Sequence, residues 1–363
     1  DELLSQSPEY VPAHTMRYEM LFEQSSPIDE ALAPFRQAIE NFPENSALQT
    51  AFASALFSSG RHDETLRLVN ELRARSDEPA LAALHVQTLL KLRLSDEALK
   101  VLARSPKAWL EQPRLAEALA KALIAHQDPA RASAVLDDAL LKTPLDQALL
   151  ATQSIAWRLL DAPREHWLCD YDQLIWRIKL RDDHLAALEE YLRSIHLTQR
   201  EPLRQSLRNG TQTSGNLLGR NIDVLNQTRA AIITALATYL DALPKNDRHP
   251  FLARRSEAIR FAGSWSVLLK DGGKHVNHFH QEGWISSAYY ISLPTKSAGD
   301  PTAGCLQFGQ PSDEYGVTLA PRKVIEPVAG ELVLFPSYIW HGTVPFHGRD
   351  SRLTIAFDAV PGR

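Results

Sequence analysis

The pattern of apolar residues changes sharply near residue 264 of this chain. From about residue 15 to 200, apolar residues recur at helical spacing in stretches rich in Ala, Leu, Glu and Arg, as in ALQTAFASALF and RLAEALAKALI. From Ser264 onward, β-branched and aromatic residues alternate with polar ones, and Gly, Pro and Asp separate the runs. We therefore predict an α+β chain in which a helical half precedes an antiparallel sheet sandwich or barrel.

The helical half contains a weak internal repeat. The segment HDETLRLV (62–69) recurs as SDEALKVL (95–102), thirty-three positions later, and DPARASAVL (128–136) follows at a similar interval. Small residues lie near the middle of the intervening helices, at Ala53, Ala83 and Ala118. This period resembles that of tetratricopeptide helix pairs, and an ordinary helical bundle is the alternative. A further amphipathic helix is predicted over roughly residues 222–243.

Charge and cysteine content disfavour several classes of protein. The net charge is -5 without runs of like charge, which argues against a nucleic-acid partner. Cys169 and Cys305 are far apart, so a disulfide framework is not expected and a reducing compartment is. No apolar run is long enough for a membrane span, and the opening DELLSQSPEY is too acidic for a signal peptide, although any leader removed before Asp1 would not be visible. We expect a cytoplasmic protein without a membrane partner.

The segment HVNHFHQEGW (275–284) concentrates side chains that bind metals. If residues 278–284 are extended, side chains two apart share a face, so His278, His280, Glu282 and Trp284 point the same way. Imidazole and carboxylate groups suit a redox-active divalent iron. A third ligand must come from elsewhere in the sheet, and His341, at the end of ELVLFPSYIWH, is the candidate.

The last predicted strand, RLTIAFDAV (352–360), offers a binding site for an anion. Alternation places Arg352 on the same face as Thr354, Ala356 and Asp358, and the apolar side chains on the other face. An arginine can hold a carboxylate through two parallel hydrogen bonds, and a hydroxyl can add a third. We predict that Arg352 and Thr354 bind a carboxylate ligand.

Taken in order, these motifs resemble the Fe(II)- and 2-oxoglutarate-dependent dioxygenases. That family carries a His-x-Asp/Glu pair, a distant His and, further on, an Arg-x-Ser/Thr that binds the 2-oxoglutarate carboxylate. The matching residues here are His280-Gln281-Glu282 or His278-Phe279-His280, then His341, then Arg352-Leu353-Thr354. The resemblance implies Fe(II) as the metal, with 2-oxoglutarate and dioxygen as co-substrates.

A narrower resemblance covers both halves of the chain. HFHQEGWISSAYYISLP (278–294) and GELVLFPSYIWHGTVPF (330–346) look like a bacterial group of tetratricopeptide-repeat proteins that end in a 2-oxoglutarate oxygenase domain. The likeness extends to SLRNGTQTSGN (206–216), and to the helical half by architecture. It implies a tetratricopeptide-like domain over residues 1–200 and a double-stranded β-helix (jelly-roll) domain, with preceding helices, over 201–363.

The resemblance leaves two sets of metal ligands open. The usual pair is His-x-Asp, and this chain has no Asp at that place. Either His280, Glu282 and His341 form a two-histidine, one-carboxylate face, or His278, His280 and His341 form a three-histidine face. The first set keeps the usual charge at the metal, whereas the second fits the narrower group better. We prefer the three histidines and keep Glu282 as the alternative ligand.

Other side chains are predicted to line the pocket. Tyr290 shares a strand face with Trp284 and is a candidate contact for the 2-oxoglutarate carboxylate, the alternative being a buried structural tyrosine. Trp284 is also a candidate substrate contact, as are Arg208 and Gln212 in the polar loop. His275 is expected to be a surface histidine.

The architecture also implies a class of substrate. Helical repeats present concave surfaces that hold extended peptides or helices, so we expect hydroxylation of a side chain in a peptide or protein. Such arrays also mediate dimerisation, so a homodimer through the repeats is a further expectation.

Two other hypotheses belong to different classes of protein. A cupin-like metalloprotein would share the three histidines without using 2-oxoglutarate, and it would not need Arg352 and Thr354. A non-catalytic repeat scaffold would be favoured by loss of His341, Arg352 or the His-x-His pair, and all of these are present. A nicotinamide-dependent enzyme is disfavoured because no glycine-rich turn of the dinucleotide type occurs.

Overall fold

The computed structural model describes residues 2–76, 78–181, 183–203, 205–295 and 300–362. The chain divides into two compact units. The helical unit comprises Asp1–Leu136, Gln199–Gln205 and Asp313–Val317, and the sheet unit comprises Asp137–Thr198, Ser206–Ser312 and Thr318–Arg363. Within the described ranges, no helix is both long and apolar enough to cross a membrane.

The helical unit consists of short helices joined by tight turns. The helices are α1 (Glu2–Gln6), α2 (Val11–Glu23), α3 (Ile28–Asn41), α4 (Ser46–Ser58), α5 (His62–Arg75), α6 (Pro79–Lys91), α7 (Ser95–Arg104), α8 (Lys107–Leu110), α9 (Pro113–Ala125) and α10 (Pro129–Lys142), which contains the division between the units. From α2 to α7, each helix packs against the next. Ala53, Ala83 and Ala118, the small residues noted in the sequence, are all buried where helices approach closely.

The repeat is also visible in the backbone at the helix ends. Ser25, Gly60, Arg93 and Gln127 each lie two residues after a helix and have positive φ angles of 64°, 80°, 62° and 64°. A left-handed residue at this position lets the following amides bond the last helical carbonyls and turns the chain back. These residues recur roughly every 34 residues, the spacing of tetratricopeptide repeats. The helical repeats predicted from the sequence are therefore confirmed.

The sheet unit combines further helices with two antiparallel sheets. Its elements are α11 (Gln147–Leu159), α12 (Arg164–Cys169), β1 (Trp176–Lys179), α13 (Leu185–Ser194), β2 (Leu207–Gln212), α14 (Asp223–Ala242), β3 (Ile259–His275), β4 (Ile285–Ser292), β5 (Leu306–Phe308), β6 (Lys323–Ile325), β7 (Glu331–Pro336), β8 (His341–Thr343) and β9 (Arg352–Pro361). One sheet has six strands in the order β1-β7-β4-β9-β3-β2, and the other has three in the order β6-β5-β8. Every strand pair is antiparallel.

The predicted α+β class is confirmed, because each predicted run of alternating residues contains a strand and α14 covers the predicted helix. Two antiparallel sheets stand where the sequence resemblance implies a jelly roll. Neighbouring strands in the larger sheet bring residues far apart in sequence together. In β9, Asp358 lies opposite Ser286 of β4, and Thr354 lies opposite Tyr290. This register places the polar face of β9 beside the polar face of β4.

The division between the units differs from the predicted boundary at residue 200. Residues 137–198 belong to the sheet unit, and this segment includes a strand where only helix was expected. Strand β1 pairs with β7 at the edge of the larger sheet. Buried side chains make further ties, since Trp340 donates to the Ala151 carbonyl at 2.9 Å and Tyr338 donates to the Leu168 carbonyl at 2.7 Å. These contacts join residues about 170 or more positions apart, so helical periodicity gives no signal of them.

Candidate metal centre

Three histidines converge within the sheet unit. His278 follows β3, His280 lies before β4, and His341 opens β8. One ring nitrogen from each lies within 4.8 Å of the others. His341 is buried, and the other two are half-buried. This group is the preferred ligand set from the sequence.

Backbone hydrogen bonds hold the three residues in place. His278 and His341 form an antiparallel bridge, with N–H to carbonyl distances of 2.9 and 2.8 Å. The amide of His280 donates to the Ser337 carbonyl at 2.9 Å. The His-x-His segment is therefore clamped against the turn that leads to His341, which explains why two distant segments deliver side chains to one point.

The hydrogen bonds of the rings leave one nitrogen of each histidine available. His278 donates from Nδ1 to the Val276 carbonyl at 2.8 Å, and His341 donates from Nδ1 to the Ile339 carbonyl at 2.9 Å. His280 places Nδ1 at 2.7 and 2.8 Å from the two oxygens of Asp358. Carbonyl and carboxylate oxygens only accept, so each Nδ1 carries a proton, and in the neutral ring Nε2 then carries a lone pair. Neutral imidazoles in this tautomer are metal ligands.

The spacing of the nitrogens fits a metal ion. The Nε2 atoms of His278 and His280 lie 3.1 Å apart. Metal–imidazole distances are about 2.0–2.1 Å, so two ligands at right angles on one ion are about 3 Å apart. Burial and the neighbouring His280 lower the pKa of His278 to about 3, and burial holds the pKa of His341 well below its usual value. Both rings therefore stay neutral, which is the form that binds metal.

The structure does not bring Glu282 and Trp284 to this group. Glu282 is exposed and lies outside the cluster of ligand atoms. Trp284 is 1% exposed, packs on Phe251 and donates from Nε1 to the Phe251 carbonyl at 2.9 Å, so it belongs to the core. Both predictions assumed an extended chain from 278 to 284, but residues 281–284 bend and β4 begins only at Ile285. The bend breaks the alternation that would have placed these side chains beside the histidines.

Arg352 lies in β9 with its cation buried. The residue is 3% exposed, its Nη1 donates to the Gly304 carbonyl at 3.0 Å, and its buried Nε has no partner. No carboxylate pairs with it in the described parts of the chain. Asp358 and Asp350, the acids nearest in sequence, bond to His280 and Thr295 instead. A buried cation without a negative partner is costly, so this site is suited to an anionic ligand.

Tyr290 adds a second unpaired polar atom beside Arg352. The guanidinium carbon lies 5.0 Å from the centroid of the Tyr290 ring, and the buried Tyr290 hydroxyl has no hydrogen-bond partner among the residues that the structure describes. Burial raises the pKa of Tyr290, so the hydroxyl is a donor at neutral pH. Thr354, opposite Tyr290 in the sheet, is 6% exposed. The three residues predicted to bind a carboxylate therefore lie together.

The predicted contacts Arg208 and Gln212 lie in β2. Arg208 is exposed and Gln212 is half-buried. Strand β2 pairs with β3, so that Leu207 stands opposite His275 and Arg208 lies next to that strand end. Gln212 stands opposite Val267, further along β3, and neither side chain belongs to the group of three histidines.

Three residues that the sequence did not assign to the site contact the histidines. Asp358 accepts a hydrogen bond from His280, as described above. The sequence feature that could have indicated this role is that Asp358 lies on the same face of the last strand as Arg352. His275, expected at the surface, is half-buried with Nδ1 at 2.9 Å from the Ser206 hydroxyl, which is also 3.2 Å from Nε2 of His278. Ser206 comes from the chain just before β2, and no local pattern marks it.

Comparison with known proteins gives a family match in this region. Residues 263–358 match the sequence model of the family described as "Putative 2OG-Fe(II) oxygenase". The matched range contains His278, His280, His341, Arg352 and Thr354. No curated protein matches the chain.

Several solved structures are similar to parts of this chain. A Pseudomonas putida prolyl-4-hydroxylase is 17% identical, with 59% of this chain and 100% of that chain covered at a TM-score of 0.36. HygX from Streptomyces hygroscopicus, solved with nickel, 2-oxoglutarate and hygromycin B, is 13% identical, with 53% and 85% covered at 0.33. YrrB, a tetratricopeptide-repeat protein with an unusual peptide-binding site, is 13% identical, with 45% and 84% covered at 0.35.

The donors of the site fit the cofactor set that the sequence resemblance implies. Three convergent histidines suit a divalent iron, and a buried arginine with an unpaired nitrogen beside an unpaired tyrosine hydroxyl suits a carboxylate. Residues 263–358 thus combine a match to the 2OG-Fe(II) oxygenase family model with side chains that fit Fe(II) and 2-oxoglutarate.

Proposed function

We propose that this protein is an Fe(II)- and 2-oxoglutarate-dependent dioxygenase that hydroxylates a side chain of a peptide or protein. The observation that carries the proposal is the presence of two complementary sets of side chains in the sheet unit. Three histidines converge on one point, and Arg352 and Tyr290 each bury a polar side-chain atom that has no hydrogen-bond partner among the described residues. A metal ion together with a dicarboxylate that reaches the arginine satisfies both.

Each group has a distinct task in this proposal. His278, His280 and His341 would bind iron on one side, leaving the opposite side open to the co-substrates. Fe(II) with 2-oxoglutarate and dioxygen supplies oxidative decarboxylation and insertion of oxygen into a C–H bond. Arg352 would hold the distal carboxylate of 2-oxoglutarate through its guanidinium, with Tyr290 and Thr354 donating to the same group. Burial of these donors strengthens their hydrogen bonds and keeps water from competing.

A peptide or protein substrate is supported by the helical unit. Repeats of helix pairs form extended binding surfaces. Within this unit, Asp313–Val317 packs as a short peptide segment against α6 and α9. Glu314 contacts Lys91 at 2.6 Å and Lys121 at 3.6 Å, and Tyr315 is fully buried. The repeat helices thus carry cations and apolar surface that hold acidic and aromatic side chains of a peptide segment.

Substrate contacts near the metal would come from β2. Arg208 is exposed and stands opposite Lys274, next to His275 at the end of β3, whereas Gln212 stands opposite Val267 further along that strand. We propose that they contact the substrate segment presented to the iron. Trp284 takes no part, because it lies in the core.

The test is an anaerobic titration of the Fe(II)-loaded protein with 2-oxoglutarate. Chelation of iron by 2-oxoglutarate gives a visible charge-transfer band, and the titration follows its growth. We expect the band in the wild type, and we expect Arg352→Ala to need roughly 10- to 100-fold more 2-oxoglutarate, since hydrogen bonds to charged groups contribute about 1.5–3 kcal/mol each. Arg349→Ala is the matched control, because Arg349 is exposed and three residues away.

The other outcomes separate the alternative functions. Iron binding without a band at any concentration of 2-oxoglutarate would replace the proposal with a cupin-like metalloprotein. Failure to bind a divalent metal at all would favour a repeat scaffold that binds a partner without catalysis.

A further inference from the structure

The carboxylate of Asp358 is buried against one of the three histidines. Asp358 lies in β9 and is 7% exposed. Its two oxygens lie 2.7 and 2.8 Å from Nδ1 of His280. Oδ1 also accepts from the Ser286 hydroxyl at 2.6 Å. Both carboxylate oxygens therefore accept hydrogen bonds from side chains that lie outside β9.

The surroundings leave this carboxylate little freedom to move. The Ser286 hydroxyl also bonds the Ser337 hydroxyl at 2.9 Å, so the bonds form a chain from Ser337 to His280. Gly283 closes the site from the side. A Cβ on Gly283 would lie 3.1 Å from Oδ1 of Asp358 and would overlap the Ser337 hydroxyl. A side chain at Gly283 would therefore displace the Ser337 hydroxyl, which bonds the Ser286 hydroxyl.

His280 differs from the other two histidines in the charge of its acceptor. His278 and His341 donate to the neutral carbonyls of Val276 and Ile339. His280 donates to a carboxylate instead. A hydrogen bond to an ionised acceptor is shorter and roughly twice as strong as one between neutral groups.

The charged acceptor of His280 matters because the metal ligands themselves supply no negative charge. In the two-histidine, one-carboxylate arrangement, a carboxylate bound to the metal supplies one negative charge. Here the three ligand side chains are all imidazoles, which supply no negative charge, and Glu282 lies outside the group. The carboxylate of Asp358 is one imidazole ring away from the point where the Nε2 atoms meet.

We infer that Asp358 is the positioning residue for His280 and supplies, through that ring, the negative charge that a carboxylate ligand supplies in the usual arrangement. This inference rests on the proposed function. The carboxylate keeps the proton of His280 on Nδ1 and so keeps the lone pair on Nε2, and it fixes the plane of the ring. It also makes Nε2 a stronger electron-pair donor to a metal cation, because the ring shares part of the negative charge of the carboxylate.

The first experiment measures metal affinity rather than activity. The full chain is titrated with Co(II), by calorimetry and by visible absorption of the bound ion, as wild type, Asp358→Asn and Asp350→Asn. Asparagine keeps an acceptor oxygen for His280 but removes the charge. Asp350 is the matched control because it is an exposed aspartate near the same strand that bonds Thr295 instead.

We expect Asp358→Asn to bind Co(II) about 10- to 100-fold more weakly than wild type, with a changed absorption spectrum, and Asp350→Asn to match wild type. Equal affinities for wild type and Asp358→Asn would overturn the inference while leaving the metal site intact. Absence of Co(II) binding by the wild type would overturn the proposed function, and the inference with it.

The second experiment does not depend on how the variant folds. Nitrogen-15 NMR of the imidazole rings in the metal-free wild type reports which nitrogen of His280 is protonated. We expect Nδ1 to carry the proton and Nε2 to be unprotonated. A spectrum with Nε2 of His280 protonated would contradict the assignment of Asp358, whatever the variants show.

Discussion

His278 and His341 exchange both of their backbone hydrogen bonds, at 2.9 and 2.8 Å, although they are far apart in the chain. Their ring centroids are 4.2 Å apart. The backbone pairing therefore holds the two imidazoles side by side, so the fold of the sheet unit sets the positions of these ligands. A preorganised site loses little conformational entropy when the ion enters.

Removal of His341 should abolish tight metal binding. We expect His341→Gln to weaken Co(II) or Fe(II) affinity at least roughly 100-fold, because loss of a ligand costs more than loss of a residue that only orients one. His347→Gln is the control, since the His347 side chain is 77% exposed and pairs with Asp271. Calorimetric titration of both variants measures the effect. A His341→Gln protein that binds like the control would remove this residue from the ligand set.

The two ligand sets from the sequence can be separated by a pair of variants. Glu282 is exposed, so we expect Glu282→Gln to change metal affinity by less than about fivefold, as for a surface charge. His278→Gln should instead lose binding roughly 100-fold or more. The reverse ranking of the two affinities would restore the two-histidine, one-carboxylate set.

Tyr290→Phe should separate ligand binding from stability. The Tyr290 hydroxyl is buried without a partner, so its removal should leave the free energy of unfolding of the ligand-free protein unchanged or slightly higher. If the hydroxyl bonds the 2-oxoglutarate carboxylate, affinity for 2-oxoglutarate should fall about tenfold or more. Urea unfolding and anaerobic 2-oxoglutarate titration measure the two quantities. Unchanged affinity would make Tyr290 a core residue only.

Stability of the metal-free protein should fall as the pH drops through the range in which His196 titrates. Burial, with a contribution from Arg193, lowers the pKa of His196 from 6.5 to about 4. Its ring nitrogens lie 2.8 Å from the Thr211 hydroxyl and 3.0 Å from the Ser266 hydroxyl, so it is held neutral. Between these pKa values the unfolded chain binds the proton and the folded chain does not, so protonation favours unfolding.

The check is urea unfolding of wild type and His196→Gln at several pH values. The wild type should lose more stability than the variant between pH 6.5 and about 4, because only the wild type carries this titrating ring. Parallel curves for the two proteins would show that His196 does not contribute to the acid sensitivity.

Glu314 should stabilise the helical unit. Lys121 is 13% exposed and contacts Glu117 at 3.0 Å and Glu314 at 3.6 Å, while Lys91 contacts Glu314 at 2.6 Å. We expect Glu314→Gln to lower the free energy of unfolding by about 1–2 kcal/mol. The loss should be smaller than for a buried charge left without any partner, because Lys121 keeps its ion pair with Glu117. Glu97→Gln, in an exposed pair with Lys100, should cost less than about 1 kcal/mol. Equal effects in urea unfolding would argue against a role for the buried charges.

The sequence alone determined most of the helices and strands and the residue types of the site. Alternating residues marked most strands from β3 onward, helical spacing marked the repeats, and the order of His278, His280, His341 and Arg352 carried the resemblance that implied a metal and an anion at one place. The periodicities are local, since each depends on the residue types within one strand or helix.

Tertiary structure alone decided the features that depend on long-range contacts. Pairing of β1 with β7 moved residues 137–198 into the sheet unit. A bend at 281–284 turned Glu282 outward and put Trp284 in the core. Register between β4 and β9 placed Asp358 among residues from other segments. Alternation specifies which residues share a face of a strand, but only the pairing of strands specifies which faces meet, and that pairing joined Asp358 to His280.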